Sequence, residues 1–257
     1  MKNFLSGRAD KMGLVLVIFF IPMIIFSILG IDDSYHISEM IGIGICLLYI
    51  KHLDKKERSD MFIFSFSDLS FKTVIFSCFT ALAVSSIISL SYLKLGLRVD
   101  NTNIIKSIIA ACIIAPVLEE VFFRFILSKV WFWNIEESER DKLKLALIGS
   151  FTWSIIHFRY LIDFFIHNIA IFLVGILLYY ILFATKNVVY TLIMHVVLNL
   201  SQDALIFPMQ KYIVKGIENN AVFISVICFL VLIAAVGSYK LLRSEKIGSY
   251  QEKADTV

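Results

Sequence analysis

Charge is what this chain has least of. Asp, Glu, Lys and Arg make up 18% of its 257 residues, against about 25% in an ordinary soluble domain. With hydrophobic residues at 59% and a mean hydropathy of +0.83, water is not its main solvent. The three prolines leave long helices largely unbroken. The four cysteines, Cys46, Cys78, Cys112 and Cys228, each stand inside an apolar run. No CxxC pair or metal-ligand spacing links them, which excludes a disulfide framework and makes them small buried hydrophobes. There is no long linker, low-complexity tract or internal repeat. The net charge of +3 is spread over short connecting segments and forms no basic stripe, so nucleic acid is excluded as a partner. The first apolar run is followed by Asp32-Asp33 and has no small-residue cleavage site, so it is expected to remain as a membrane helix.

What is present is a succession of apolar stretches, many near the roughly 20 residues that cross a hydrocarbon core. Bounded by charge, they predict helices near Leu14 to Ile31, Ile37 to Ile50, Val74 to Leu93, Ile104 to Val130, Leu143 to Phe158, Phe164 to Ala184, Val188 to Pro208 and Ala221 to Leu242. The fold class expected is all-α, a polytopic transmembrane bundle of about eight helices in contact with membrane lipid. Most of the 24 Lys and Arg fall on the segments that are inner if the N-terminus is inside, which places both termini in the cytoplasm. Residues 1–242 form one membrane domain, with its motif core at about 104–200, and 243–257 a polar cytoplasmic tail. The charged loop from Lys51 to Asp60 reads as a solvated loop near anionic headgroups. Lys144 can snorkel from its helix end, and Trp131 with Trp133 reads as an interfacial aromatic anchor.

Ionisable groups at membrane depth cost at least about 2.5 kcal/mol each on insertion scales, so they need partners and usually a use. The fourth stretch, IIAPVLEEVFFRFIL, places Glu119, Glu120 and Arg124 in a greasy helix. Glu120 and Arg124 are four apart and can form an intrahelical ion pair. Glu119 points about 100° away from Glu120 and must find its partner in another helix. Candidates are His157 in WSIIHF, and His195 with Asn199 in IMHVVLNL, the latter two sharing a helical face. Pro116 removes a backbone hydrogen bond just before the carboxylates and can kink the helix to open a polar cavity.

A Glu120–Arg124 pair alone could simply hold helices in register, and either histidine alone could be a hydrogen-bonded core residue. Three helices that each contribute ionisable or amide groups at one depth weigh against a purely structural reading. His36 and His52 belong to interfacial loops, and His167 is paired locally with Asp163.

The motifs EExxxR, Trp153-Ser-Ile-Ile-His157 and His195-Val-Val-Leu-Asn199, in this order, resemble the signatures of the CAAX-protease and bacteriocin-processing (CPBP) family of intramembrane proteases. The stretch from Phe172 to Leu200 is similar to the family's run into its last motif, and the resemblance covers Ile109 to Leu200. Two positions depart from the pattern: Trp153 stands where the family usually has Phe, and Tyr179 where a small glycine is common. The first keeps an aromatic ring, and the second is expected to alter helix packing beside the site.

The resemblance implies an endopeptidase that cleaves a peptide or membrane protein at or within the membrane. On that reading Glu119 is the general base, His157 helps to hold the water, and His195 with Asn199 stabilises the developing carbonyl charge. Glu120 and Arg124 then support the site from behind. A zinc ion held by Glu119, His157 and His195 stays open as an alternative, although no HExxH helix motif is present. Two readings from other classes are a bacteriocin-immunity or scaffold protein that does not cleave, and a proton-coupled transporter. Compact size and a composition rich in Ile, Phe, Lys and Asn suggest a bacterial protein, expected in the plasma membrane. For such a protein the resemblance implies a peptide pheromone, a bacteriocin leader or a small membrane protein as the substrate.

Overall fold

A computed structural model of the chain describes residues 8–31, 36–53, 62–96, 108–132, 138–157, 165–206 and 208–254. The Asp32-Asp33 turn, most of the loop from Lys51 to Asp60, Trp133 and Asp163 lie outside the described residues.

The helices in chain order are α1 (Arg8–Ile28), α2 (Ile37–Leu53), α3 (Phe71–Lys94), α4 (110–131), α5 (Glu139–Ile156), α6 (Phe165–Thr185), α7 (Val188–Leu200), α8 (Gln210–Gly216) and α9 (Asn220–Ala254). Each of the eight apolar windows overlaps one of them, but overlap alone does not establish eight membrane spans. Among the described residues there is no strand, only an isolated parallel bridge between Ile63 and Asn187. Among the described residues, four helical spans are long and apolar enough to cross a membrane by length and composition: Asp10–Leu29, Phe71–Lys94, Asn168–Thr185 and Asn220–Lys240. They point to a multi-pass membrane protein. The other windows fall short for visible reasons. Helix α2 has 17 residues and α7 has 13, while α5 opens on the charged turn ERDK.

Helix α4 is irregular in a way that Pro116 only hints at. It runs as π-helix over Ala110–Ile114, α-helix over Ala115–Glu119, π-helix over Glu120–Ile126 and α-helix over Leu127–Trp131. π-Segments are rare and occur mostly as single bulges, often at functional sites. A further π-segment, Ser201–Ile206, follows α7 directly.

By packing, the chain divides into two compact units, one of residues 1–64 and 117–188 and the other of residues 65–116 and 189–257.

In the first unit α1 lies against α2 and α5 against α6. Gly42 permits the first contact, because a Cβ there would sit 2.6 Å from the Phe19 carbonyl oxygen. Phe19 then stacks on Phe122 with ring centroids 3.6 Å apart. Small residues likewise bring α5 and α6 close. A Cβ on Gly175 would lie 2.8 Å from the Ser150 Cβ, and the Ser154 hydroxyl donates to the Asn168 carbonyl at 2.9 Å. Ser138 caps the start of α5, its hydroxyl accepting from the Asp141 N–H at 3.1 Å. Lys186, at φ 55°, turns the chain between α6 and α7, and its carbonyl accepts from the Ile63 N–H at 2.9 Å. Trp131 is 7% exposed, so it belongs to the packed interior and is not the interfacial anchor expected of it.

In the second unit α3 packs along α9, where Gly237 leaves room for the Thr80 hydroxyl. Lys94 closes the α8 end of the unit by donating to the Ile217 and Glu218 carbonyls at 2.8 and 2.9 Å. Of the cysteines, Cys46 and Cys112 are buried as expected and Cys78 partly so, but Cys228 sits on an exposed face of α9. That face is apolar, with Ile224, Phe229, Val231 and Leu232 also exposed, as suits a lipid-facing helix.

Candidate active site

The two carboxylates of helix α4 go to different partners, as their geometry demands. Glu120 and Arg124 are fully buried, and Arg124 Nη1 lies 3.1 Å from Glu120 Oε1. None of the three guanidinium nitrogens makes a hydrogen bond of good geometry. Its faces do the holding instead. The Trp153 ring lies 4.6 Å from the guanidinium carbon and the Tyr179 ring 5.2 Å from it. A cation clamped by two desolvated aromatic faces gains about 2 kcal/mol or more per good contact, which offsets part of its burial cost.

Glu119 turns the other way and meets α5. Its Oε2 accepts a short hydrogen bond from the Trp153 indole N–H, and its Oε1 lies 3.8 Å from His157 Nε2. Unlike Glu120, it keeps some exposure, 17% of its side chain against 26% for His157.

The tautomer of His157 follows from its other nitrogen. Nδ1 lies 2.9 Å from the Trp153 carbonyl oxygen. A carbonyl only accepts, so Nδ1 carries the proton, and in the neutral ring Nε2 is an acceptor. With the ring neutral, Glu119 Oε1 and His157 Nε2 are two acceptors facing each other at 3.8 Å, too far for a direct bond. A water fits that requirement, donating one hydrogen to each.

His195 and Asn199 lie on α7 in the second unit. His195 is buried, at 4% exposure. The Asn199 side-chain amide donates to the Ala111 carbonyl at 2.8 Å, inside the first π-segment of α4. At the residue before Asn199, the Leu198 carbonyl accepts from the Ser85 hydroxyl at 3.0 Å, and that hydroxyl lies 2.5 Å from the Ser201 hydroxyl. Cys112 Sγ is 3.8 Å from Asp203 Oδ2. Asn199 thus spends one of its two N–H groups on holding helix to helix.

Among the described residues no three His, Cys, Asp or Glu side chains form a group able to hold a metal ion. Glu119 and His157 supply a two-donor pair, one fewer than the three protein ligands of a catalytic zinc site.

Two residues do more here than the sequence indicates. Trp153 is not only an aromatic stand-in, because its indole brings a donor that a phenyl ring lacks. Tyr179 is more than a packing change, because its hydroxyl donates to the Phe123 carbonyl at 2.6 Å and its ring faces Arg124.

Comparison with known proteins finds one match. Residues 101–201 fit the family model described as Rce1-like, type II CAAX prenyl endopeptidase Rce1-like. No curated protein and no solved structure matches the chain. The matched stretch holds both carboxylates of α4, Arg124, His157, His195 and Asn199, and it supports a membrane endopeptidase of the CAAX type. Residues 101–201 of this chain are thus similar to the Rce1-like family, which agrees with the CPBP resemblance of its motifs.

Proposed function

We propose that the protein is an intramembrane endopeptidase in which Glu119 activates a water held jointly with His157. The observation that carries this reading is the pair of facing acceptors, Glu119 Oε1 and His157 Nε2, 3.8 Å apart. A water donating to both has its oxygen lone pairs directed outward, toward an incoming peptide carbonyl. As the water oxygen bonds to the carbonyl carbon, its proton passes to Glu119. Collapse of the tetrahedral intermediate breaks the C–N bond, and Glu119 returns the proton to the leaving amine. The products are a carboxylic acid and an amine.

The motif resemblance assigns His195 and Asn199 to stabilising the charge that develops on the scissile carbonyl. Glu120 and Arg124 hold the π-segment of α4 that carries the reacting carboxylate. The substrate is a membrane-associated peptide or protein: a prenylated CAAX terminus is one candidate class, a pheromone precursor or bacteriocin leader another. We place the protein in a bacterial plasma membrane with both termini cytoplasmic.

The test is cleavage of a quenched peptide library, containing prenylated and leader-type sequences, by purified protein in liposomes. Glu119→Gln is expected to lower kcat by about 100-fold or more, the contribution of a positioned general base. His195→Ala is expected to lose turnover as well, and a chelator arm reports metal dependence. Cleavage that persists in Glu119→Gln overturns the assignment.

A further inference from the structure

We propose that Trp153 is the positioning residue of this site and sets both members of the Glu119–His157 pair at once. The inference deepens the reading above and rests on Glu119 being the base.

Two independent contacts carry it. The Trp153 indole N–H donates to Glu119 Oε2, which fixes the carboxylate plane and leaves Oε1 as the oxygen that faces His157. The Trp153 main-chain carbonyl also accepts from His157 Nδ1, one turn on, at 2.9 Å, which orients the ring and, when the ring is neutral, leaves Nε2 as the acceptor. One residue therefore determines which oxygen and which nitrogen meet across the water.

Its own position is fixed on several sides. Trp153 is 3% exposed, and its ring carries the Arg124 guanidinium at 4.6 Å. A Cβ on Gly175 would come within 3.0 Å of its Cε3, and the His157 ring packs edge-on with centroids 5.6 Å apart. The indole cannot swing without displacing α6 or the buried arginine. Its N–H is consequently a fixed donor, and fixed donors are what hold a reacting group in productive geometry.

A phenylalanine here would keep a ring for Arg124 and the main-chain carbonyl for His157. It would lose the N–H together with the bulk of the indole's second ring. Trp153→Phe thus removes the Glu119 arm of the device while keeping the His157 arm, and the spectroscopic readout separates the lost N–H from the lost volume.

The experiment has a kinetic and a spectroscopic arm. With the most rapidly cleaved peptide, Trp153→Phe is expected to lower kcat about tenfold, equivalent to about 1.4 kcal/mol, with KM within about twofold of the wild type. A purely structural role would reduce the folded fraction and leave kcat per folded molecule unchanged, and that outcome overturns the proposal. Ultraviolet resonance Raman spectroscopy reads the indole N–H directly, Trp153 being assigned by difference against Trp153→Phe. Its signal is expected to report a strong hydrogen bond in the wild type and a weak one in Glu119→Ala; an identical signal in both overturns the proposal without any appeal to activity. A wild type that cleaves no peptide removes the endopeptidase reading and the role built on it, while the Raman arm still decides whether the Trp153–Glu119 contact exists.

Discussion

Gly149 and Tyr179 compete for one volume: a Cβ at position 149 would lie 2.6 Å from the Tyr179 Cζ. Tyr179 is fully buried, and its hydroxyl is committed to the Phe123 carbonyl at 2.6 Å within the second π-segment of α4. A methyl group at 149 would have to push the ring off that carbonyl and away from Arg124. Gly149→Ala is expected to cost about 1–3 kcal/mol of overpacking strain, read as a lower unfolding temperature in detergent. Tyr179→Phe removes the hydroxyl nearest that methyl but keeps Cζ and Cε2 at 2.6 and 2.7 Å, and it gives up the bond to the Phe123 carbonyl. Tyr179→Phe alone is expected to be destabilising by about 1 kcal/mol, and adding Gly149→Ala to it is expected to remain destabilising, because the ring carbons still occupy the volume.

Helices α1 and α2 offer a comparison within one element. A Cβ on Gly42 would lie 2.6 Å from a backbone oxygen, that of Phe19, whereas a Cβ on Gly44 meets nothing within 4 Å. Backbone cannot rotate out of the way. Gly42→Ala is therefore expected to destabilise by about 1–3 kcal/mol, while Gly44→Ala is expected to be neutral or to gain about 0.5–1 kcal/mol from helix propensity. Equal effects at the two sites would show that α1 and α2 do not pack through Gly42.

How much of this was visible in the sequence depends on the kind of interaction. The Glu120–Arg124 pair follows from a spacing of four, and the need of Glu119 for a partner outside its helix follows from its angle to Glu120. Both are properties of one helix, and a sequence displays them. The π-segments are different. Pro116 marks an irregularity, but where the register slips depends on what α4 packs against, as at Phe122 on Phe19 and at Phe123 under Tyr179. Trp153 was legible in part: it stands four residues before His157, so the carbonyl-to-imidazole contact is an i, i+4 relation. Its indole reaching Glu119, 34 residues away, is not a local property. Likewise the glycines at 149 and 175 gain meaning only once Tyr179 and Trp153 are seen beside them.

The start of α5 tests how far its cap supports the residues at its other end. Ser138 accepts from the Asp141 N–H, and Glu139 pairs with Lys142 at 2.8 Å. Ser138→Ala is expected to cost about 1 kcal/mol and Ser138→Asp to restore most of it. The Lys142 hydrogen bond holds the Glu139 carboxyl below its ordinary value. A depressed folded value means the pair's contribution is present above the unfolded value and is lost as pH falls through the folded one. The Glu139 side chain is 90% exposed, so solvent screens the pair. Glu139→Gln should change stability by no more than about 0.5 kcal/mol at neutral pH, with the difference vanishing in acid; a larger effect in thermal melts across pH would contradict this.

The buried ion pair of α4 separates support from chemistry. Arg124 and Glu120 are both fully buried, and the arginine is gripped by ring faces on two sides. Removing one partner leaves an uncompensated charge in a low-dielectric interior, so Arg124→Met is expected to cost about 3–5 kcal/mol. Replacing both, as Glu120→Leu with Arg124→Met, takes the stranded charge away and is expected to recover much of that loss. Arg124→Lys keeps the charge but not the flat guanidinium that fits between Trp153 and Tyr179, so it is expected to fall nearer to Arg124→Met than to the wild type. Unfolding temperatures in detergent rank the three. If Arg124→Lys matches the wild type, charge alone suffices and the aromatic clamp contributes nothing. If the double variant is stable yet cleaves slowly, the pair serves to hold the π-segment that presents Glu119, which is the role the geometry gives it.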